Sequence, residues 1–592
     1  MKWTRLLALF GVVAISSLSA ACSDDDLVQA DPVPGPPTVS ISAVGQTLTV
    51  SWNAVTGATS YDVTVSASGE ADQTAAGVTD TQTSFSSLTP ATTYLATVVA
   101  RNSAGAGVAG TALGETDAEP ETVVQVVGDV LTNTTWTSDK TYVLNQPTFV
   151  GVDCGTDGTK AGCVQAVLTI EPGTTIVGRT DVPQGVRGAY LVVSRGSQII
   201  ADATGGADRA PTEAETIVFT SDKPRGQRAA EDWGGIIING MAPTNSGDEA
   251  TGEGDSGLYG GTDPLDSSGI LRGVRIEFAG DDVTPADQLN GLAIQGVGSG
   301  TTISYLQIHY NKDDGIEPFG GTVSVDHLVV SAIGDDSVDG TDGYRGFMQF
   351  IIGQQRGADA DNGLELSNNG DTGNATPQST AVVANATMIG GNTARVGGGD
   401  IGGAESDDAV QLREGSNYRV YNSIFTGFGD SGLCIRDAQT IVNANNRLAG
   451  QTTPTTTVAF ENNIMWNNGG AGNDPGNFNA CGGGSTTALN TNFFNAFSNV
   501  LADPGFDASV FNAGSAGSPP NFTVAAMPAG YTAFDVSTIA FDAATLFAPG
   551  DGRTLVATSY AGAIAPGAAG WHEGWTVWAT DGSDSRPNQD GN

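Results

Sequence analysis

Basic residues are scarce in this sequence. Of 592 residues, 24 are Lys or Arg and 3 are His, against 65 Asp or Glu, which gives a formal net charge of −41 at pH 7. Proteins that bind nucleic acid neutralise phosphates with clustered cations, so we expect no nucleic-acid partner and no attraction to an anionic membrane surface. The charge favours a cation-binding protein or one kept soluble outside the cell.

Helical patterns and long apolar runs are also missing. No apolar stretch reaches transmembrane length, and Leu, Glu and Lys do not recur at helical spacing. The 82 glycines separate short apolar runs by frequent turns. This texture predicts an all-β protein, and the length allows two or more domains.

Cysteine is rare, with five residues and no CxxC pair, which argues against a structural zinc site. Cys154 and Cys163 flank a short Gly/Asp-rich loop and are predicted to form a disulfide. Cys434 and Cys481 are the remaining possible pair. Disulfides imply export to an oxidising compartment.

The N-terminal residues also predict export, independently of the cysteines. Lys2 and Arg5 precede an apolar stretch over residues 6–15, which is too short to span a bilayer. The segment Leu18-Ser-Ala-Ala-Cys22 then resembles a lipobox, with Leu one position further from Cys than usual. The resemblance implies that residues 1–21 are a lipoprotein signal peptide.

By the same resemblance, Cys22 carries lipid and anchors the protein to the outer membrane. Asp24–Asp26 look like the acidic export signal of surface lipoproteins, so we expect surface exposure, with the periplasmic face as the alternative. Residues 22–37 turn Pro-rich, which indicates an extended tether.

Residues 38–116 alternate apolar and polar positions in short strands. Trp52 lies on one strand, and Leu88-Thr-Pro-Ala-Thr-Thr-Tyr94 forms a corner pattern. The segment resembles a fibronectin type III module, which implies that Trp52 anchors the core and Tyr94 is the corner tyrosine. We expect this module to be a spacer; binding of carbohydrate or protein is the alternative.

An internal repeat of about 23 residues dominates the rest of the chain. Similar segments begin at Asn290, Asp314, Asp336, Asn362, Asp408 and Ser431, at spacings of 24, 22, 26, 46 and 23. Short strands at this period are typical of a parallel β-helix, whose coils stack about 4.8 Å apart. We therefore predict a right-handed parallel β-helix over residues 120–490, followed by C-terminal rungs and a cap over 491–592.

A second column of small polar residues supports this register. It begins the apolar segments at Ser304, Asp326, Asn385, Asn422 and Asn462. Such residues satisfy backbone groups left unpaired at tight corners, so we predict that they stack at a rung corner.

Several segments resemble a family of exported β-helix lipoproteins of largely unassigned function, within the pectate-lyase-like superfold. They include Asp232–Gly240, Val274–Gly280 and Asn311–Glu317, and the resemblance covers roughly residues 165–480 and again Trp571–Trp575. The resemblance implies the fold and export. We expect Trp571–Trp575 to belong to the cap.

Strand alternation predicts a stack of carboxylates on the outside of the helix. If Ile316, Val338 and Leu364 point inward, then Glu317, Asp339 and Glu365 point outward, one above another. Carboxylates about 5 Å apart repel by roughly 1 kcal/mol in water. The stack persists if cations bind, if some carboxyls keep protons, or if backbone donors compensate.

Calcium is the cation that suits such an oxygen-rich site. The predicted Ca²⁺ ligands are Asp313, Asp314, Asp335, Asp336, Asp339 and Asp342. The alternative is that these residues serve only as turn and corner residues with exposed charge.

Two functions fit this face. The first is a non-catalytic surface protein whose Ca²⁺-stabilised β-helix binds glycan or another cell-surface component. The second is a polysaccharide lyase or glycoside hydrolase with Glu317, Asp339, Glu365 and Arg345 as catalytic residues. The chain has no Asn-Thr-Asp, Gly-His-Gly or Arg-Ile-Lys, so it departs from the polygalacturonase pattern, and the fold alone does not choose.

Overall fold

The computed structural model describes residues 31–44, 46–116, 122–180, 188–284, 287–356, 360–391, 406–469, 478–511, 519–580 and 582–584. These form two compact units that divide after residue 120. The predicted signal peptide and the lipidation site Cys22 lie outside the described residues. In the described part of the chain, no helix is both long and apolar enough to cross a membrane.

The N-terminal unit consists of two antiparallel sheets, β1-β2-β5 and β4-β3-β6-β7 with β8 paired to β6. Alternate residues enter one core, in which the Trp52 and Tyr61 ring centroids are 5.2 Å apart. The Tyr94 hydroxyl accepts a hydrogen bond from Thr89 N at 3.1 Å, which is the predicted corner contact. The strands are β1 (Val39–Val44), β2 (Thr47–Trp52), β3 (Ser60–Ser66), β4 (Gln73–Val78), β5 (Gln82–Phe85), β6 (Thr93–Asn102), β7 (Gly105–Ala106) and β8 (Gly110–Glu115).

The second unit is a parallel β-helix, as predicted, because strands about one repeat apart pair in parallel along its length. Its strands are β9 (Thr122–Val126), β10 (Thr134–Trp136), β11 (Lys140–Leu144), β12 (Thr148–Val150), β13 (Val167–Ile170), β14 (Thr175–Gly178), β15 (Leu191–Val193), β16 (Gln198–Asp202), β17 (Ile217–Ser221), β18 (Ile236–Asn239), β19 (Ala250–Thr251), β20 (Leu258–Tyr259), β21 (Gly269–Glu277), β22 (Asp282–Thr284), β23 (Asp287–Gln288), β24 (Leu292–Gln295), β25 (Thr302–His309), β26 (Ile316–Phe319), β27 (Ser324–Ile333), β28 (Val338–Gly340), β29 (Phe347–Gln355), β30 (Leu364–Leu366), β31 (Val382–Ile389), β32 (Val410–Leu412), β33 (Arg419–Tyr421), β34 (Ile424–Thr426), β35 (Cys434–Ile435), β36 (Ala459–Glu461), β37 (Ile464–Trp466) and β38 (Val500–Leu501).

Two sheets enclose the core of the β-helix. A nine-stranded sheet follows the order β12-β15-β18-β24-β26-β28-β30-β32-β35. A 17-stranded sheet contains the remaining strands of the coil, while β19 pairs only with β20 and β22 only with β23. Inward side chains such as Ile294, Leu306, Leu328 and Leu364 pack into one continuous apolar core.

The long strands of the 17-stranded sheet bend at one residue with left-handed backbone geometry. These residues stack on one another: Tyr305 (φ 50°), His327 (φ 51°), Phe350 (φ 59°), Asn385 (φ 53°), Asn422 (φ 50°) and Asn462 (φ 57°). The predicted corner column was therefore one residue out of register, because Ser304 and Asp326 precede the bend whereas Asn385, Asn422 and Asn462 occupy it.

Two helices that the sequence analysis did not predict cover the C-terminal end of the coil. Helix α1 (Ala438–Leu448) and helix α2 (Thr487–Ala496) contribute Ala444, Phe493 and Phe494 to the main core. The apolar end layer is therefore closed by helix side chains before residue 500.

Residues 503–584, as far as they are described, form what we call the strap, which lies along the outside of the 17-stranded sheet. Outward amide side chains hold its backbone: Asn422 contacts Phe534, Gln349 contacts Val556 and Gln307 contacts Val577, each donating to the carbonyl and accepting from the N–H. The strap crosses the rungs more than once: Thr302 of an early rung donates to Asp551, Asn422 O of a later rung accepts from Gly562 N, and Gln307 of an early rung holds Val577.

The prediction that residues 491–592 cap the solenoid is correct only for its first residues. Trp575 lies far from the end, since its carbonyl accepts a hydrogen bond from Arg275 of β21 at 2.7 Å. The reason is that the end is already covered, whereas outward apolar residues of the long strands, such as Val329 and Ile352, need the strap to exclude water.

Both predicted disulfides form. Cys154 is bonded to Cys163, and Cys434 of β35 is bonded to Cys481 ahead of α2.

Candidate functional site

The nine-stranded sheet carries one outward column that changes from apolar to acidic along the helix axis. Residues at this position pair from rung to rung in the order Val192, Ile237, Ala293, Glu317, Asp339, Glu365, Gln411 and Cys434. The predicted alignment of Glu317, Asp339 and Glu365 is confirmed by this register. We call these three residues the acidic ladder.

The acidic ladder is largely withdrawn from solvent. Glu317 is 7% exposed and Glu365 is 9% exposed. Burial, followed by the charges of neighbouring carboxylates, raises the pKa of Glu317 and Asp339 well above the ordinary range. Burial also raises the pKa of Glu365 to about 7, against the opposing charge of Arg413. The folded chain therefore resists full ionisation of the ladder.

A parallel column of carboxyl and amide groups lies at the turn before each strand. Asp314 Oδ1 accepts a hydrogen bond from Asp336 N at 2.9 Å, Asp336 Oδ1 accepts from Asn362 N at 2.5 Å, and Asn362 Oδ1 accepts from Asp408 N at 3.3 Å. Each side chain thus satisfies a backbone N–H of the next rung, which is the role of a corner residue. One carboxylate oxygen of Asp314 and of Asp336 takes no part in these bonds.

Ladder and turn carboxylates meet in groups compact enough to surround a cation. Within each group the ligand oxygens lie within 4.8 Å of one another: Asp313 with Asp314 and Asp335; Asp314 with Glu317 and Asp339; Asp336 with Asp339 and Glu365; Asp335 with Asp336 and Asp361. Five of the six predicted Ca²⁺ ligands belong to these groups.

These donors fit a hard cation. The ligands are all carboxylate oxygens, which Ca²⁺ prefers, and adjacent groups share residues. In addition, Asp339 Oδ1 is buried and has no hydrogen-bond partner in the part of the chain that the structure describes. A buried acceptor left unpaired is unfavourable unless a ligand or a water fills the position.

One end of the acidic ladder is walled by the segment that includes β19 and β20. Asn290 Nδ2 donates to Glu253 of this segment at 2.8 Å and to Glu317 at 2.6 Å. The Tyr259 hydroxyl donates to Asp342 Oδ2 at 2.9 Å. Asp342 thus belongs to this wall, and it is absent from the carboxylate groups found among the described residues. Glu253 lies in an insertion with no repeat pattern, so its position beside the ladder was not predictable from periodicity.

The arginine beside the ladder is Arg413. Its Nη1 contacts Glu365 and its Nη2 contacts Glu414 at 2.6 Å. The predicted catalytic arginine, Arg345, lies instead under the strap, where Nη1 donates to Ala543 O at 3.2 Å and the guanidinium lies 5.0 Å from the centre of the Phe547 ring. The sequence contained the signal for Arg413, because it follows the aligned Gln411 by two residues.

A pocket of about 400 Å³ is lined by Arg413, the residue that contacts Glu365 at the other end of the ladder. Its lining includes Asn369, Arg413, Glu414, Arg436, Asp437 and Gln439. Mixed charges and amides of this kind suit hydroxyl-rich ligands, because each hydroxyl both donates and accepts hydrogen bonds.

Comparison with known proteins gives two family matches. A model described as a pectate-lyase-like beta helix domain matches residues 128–500, and a fibronectin type III domain model matches residues 32–113. Together the two matches indicate a carbohydrate-related surface protein. Among curated proteins, none matches the chain.

Similar solved structures include domains of animal proteins. The FN5 domain of Drosophila Lar is 22% identical over 14% of this chain and 99% of its own, with a TM-score of 0.14. The chicken CNTN1 FN1-FN3 domains are 29% identical over 14% of this chain and 32% of theirs, also with a TM-score of 0.14. The fn3 domain of human collagen alpha-1(XX) is 22% identical over 16% of this chain and 95% of its own, with a TM-score of 0.14.

Proposed function

This chain belongs to the pectate-lyase-like beta helix family, and we propose that it is a lipid-anchored protein of the outer membrane that binds glycan or another surface component on a Ca²⁺-stabilised face. The observation that carries the proposal is the acidic ladder with its adjoining turn carboxylates. Several carboxyl groups are buried together there, and one ladder oxygen is unpaired.

Calcium explains why such an arrangement is tolerated. Asp313, Asp314, Asp335, Asp336 and Asp339 are the proposed ligands, joined by Glu317 and Glu365. When bound, the cation neutralises carboxylates that otherwise repel one another in a low-dielectric environment. The ligands must be ionised to bind it, so affinity rises with pH.

Calorimetric titration with Ca²⁺ tests this site. We expect the wild-type protein to bind with a Kd of about 10⁻⁴ M, within the range of extracellular modules. Asp336→Ala/Asp339→Ala removes two ligands that share one group, so its affinity is expected to fall at least tenfold. Asp371→Ala, at an exposed acidic residue outside the groups, is the matched control and is expected to bind as the wild type does. Absence of heat above the blank in wild type contradicts the proposal.

The proposed anchor explains how the binding face is presented. Lipid at Cys22 supplies membrane affinity of about 0.8 kcal/mol per buried CH₂, and the fibronectin type III domain follows as a spacer. Labelling of intact cells with a protease or an antibody distinguishes surface display from the periplasmic face, and replacement of Cys22 by Ser is expected to release the protein from membranes.

A glycan panel separates binding from catalysis. We expect uronate-containing or neutral polysaccharides to be retained on immobilised protein in Ca²⁺, with less retention by Asp336→Ala/Asp339→Ala, and with no unsaturated products or new reducing ends. Failure of every polysaccharide to bind counts against the glycan role and leaves a protein surface component as the partner.

One observation favours the enzymatic alternative, a polysaccharide lyase or glycoside hydrolase. Oxygens of Asp339 and Glu365 lie within 4.8 Å of each other. The pKa of Glu365 is raised to about 7, so this carboxyl keeps a proton near neutral pH, as a general acid requires. Product formation that is abolished in Glu365→Gln would establish this alternative. Arg345 is not expected to contribute, because it contacts the strap.

A further inference from the structure

The Cys434–Cys481 disulfide ends the outward column that contains the acidic ladder. Cys434 is fully buried in β35, where it follows Gln411 of the preceding rung. Cys481 is only partly buried, and its Sγ lies 3.3 Å from Ser485 Oγ. An incoming thiolate can therefore approach Cys481 more readily than Cys434, which becomes the leaving sulfur.

A buried carboxyl group lies against this disulfide. One oxygen of Asp408 and both sulfurs lie within 4.8 Å of one another, and Asp408 is 3% exposed. Asp408 Oδ2 accepts from Gln411 Nε2 at 3.4 Å, whereas Oδ1 is buried and has no hydrogen-bond partner among the described residues. No comparable group among the described residues includes Cys154 or Cys163.

The surroundings of Asp408 favour its protonated form. Three carboxyls act on it: Asp430 on the next rung, Asp407 beside it and Asp361 on the preceding rung. Burial and then these charges raise the pKa of Asp408 to about 8, so it carries a proton at neutral pH.

We propose that Cys434–Cys481 is a thiol–disulfide exchange site for a dithiol reductant, with Asp408 as the proton donor to the leaving sulfur. One thiolate of the reductant attacks Cys481 Sγ and forms a mixed disulfide. The bond to Cys434 breaks, and its electron pair stays on Cys434 Sγ, which takes the Asp408 proton. The second thiol of the reductant then releases Cys481 as a thiol and becomes oxidised to a disulfide, while solvent returns a proton to Asp408.

This step follows from the environment of Cys434. A thiolate buried among apolar groups is unfavourable, so a leaving sulfur without a nearby proton source departs slowly. Reduction unlinks β35, which is the last strand of the nine-stranded sheet, from the segment before α2. None of the proposed Ca²⁺ ligands belongs to this site, so either assignment can fail alone.

The experiment measures both disulfides in the same full-length protein. Native protein is exposed to dithiothreitol between pH 6.5 and 9, free thiols are alkylated at timed intervals, and the reduction rate of each disulfide is obtained by peptide mass spectrometry. Each rate is divided by the thiolate fraction of the reductant. For the wild type, we expect the corrected rate of Cys434–Cys481 to fall as pH rises through 8, while that of Cys154–Cys163 stays flat.

Asp408→Asn removes the proton donor and keeps the side-chain shape. We expect the Cys434–Cys481 rate at pH 7 to fall about 100-fold, at the low end of general acid catalysis, with a flat pH profile and an unchanged Cys154–Cys163 rate. If this variant does not fold, the proposal is still tested by comparing the pH profiles of the two disulfide reduction rates in the wild type. Equal profiles in wild type, an unchanged rate in Asp408→Asn, or no reduction of Cys434–Cys481 in the native state would overturn the proposal.

Discussion

Without Ca²⁺, the protein is expected to lose stability as pH rises from about 4.5 through about 7. The carboxyls responsible are Asp314, Glu317, Asp336, Asp339 and Glu365, whose pKa values burial and mutual repulsion raise above those of the unfolded chain. Because the folded state holds these protons more tightly, their contribution is fully present below the unfolded pKa values near 4. It is lost as pH rises through the folded ones.

The expected effect is large. Glu365, whose pKa rises from 4.5 to about 7, by itself accounts for about 3 kcal/mol across this range. Calcium reverses the trend, because a cation that binds only the ionised folded ladder adds stability as its concentration exceeds Kd. At pH 8, millimolar Ca²⁺ is therefore expected to raise the melting temperature well above that in chelator.

Melting temperature as a function of pH, in chelator and in Ca²⁺, measures this effect. Asp336→Asn/Asp339→Asn replaces two of the repelling carboxyls by neutral amides, so its melting temperature in chelator should depend less on pH. Asp371→Asn controls for the loss of general charge and should follow the wild type. A wild-type melting temperature in chelator that stays constant or rises with pH is incompatible with this account.

Glu277→Gln is the single substitution expected to destabilise the fold most. Glu277 and Arg275 are fully buried beneath the strap, with Arg275 Nε donating to Glu277 Oε1 at 2.8 Å and Arg228 Nη1 4.0 Å from Oε2. Removing the negative charge leaves two buried guanidinium groups with less compensation. Breaking a buried ion pair in this way costs about 3–5 kcal/mol.

Denaturant unfolding measures this cost, and limited proteolysis reports whether the strap detaches, since Arg275 also holds Trp575 O. The matched control is Glu215→Gln, which removes an exposed pair with Arg209 and should leave the midpoint unchanged. A midpoint for Glu277→Gln equal to that of Glu215→Gln would mean that the strap does not depend on this pair.

The repeat made the coil and its acidic ladder predictable because strand alternation and rung length together determine which residues stack. Glu317, Asp339 and Glu365 needed no more than this arithmetic. The same reasoning misplaced Asn385, Asn422 and Asn462 by one position. The bend occurs at a single residue with left-handed backbone geometry, and the pattern of apolar residues does not reveal which residue that is.

The strap was not predictable from periodicity. Its polar contacts with the coil come from single amides, such as Gln307 and Gln349, that pair with the backbone of residues more than 200 positions away. Nothing local distinguishes these amides from solvent-exposed ones. Arg345 was misassigned for the same reason: it is near the acidic cluster in sequence, but its side chain faces the strap.

Diffraction from crystals grown with Ca²⁺, recorded with anomalous signal, tests the central idea most directly. The account predicts an ion among the carboxylates of Asp336, Asp339 and Glu365, with oxygen ligands at about 2.3–2.6 Å and Asp339 Oδ1 among them. An ordered ladder whose carboxyl groups hydrogen-bond to one another, with no ion between them at millimolar Ca²⁺ and pH 8, would contradict it.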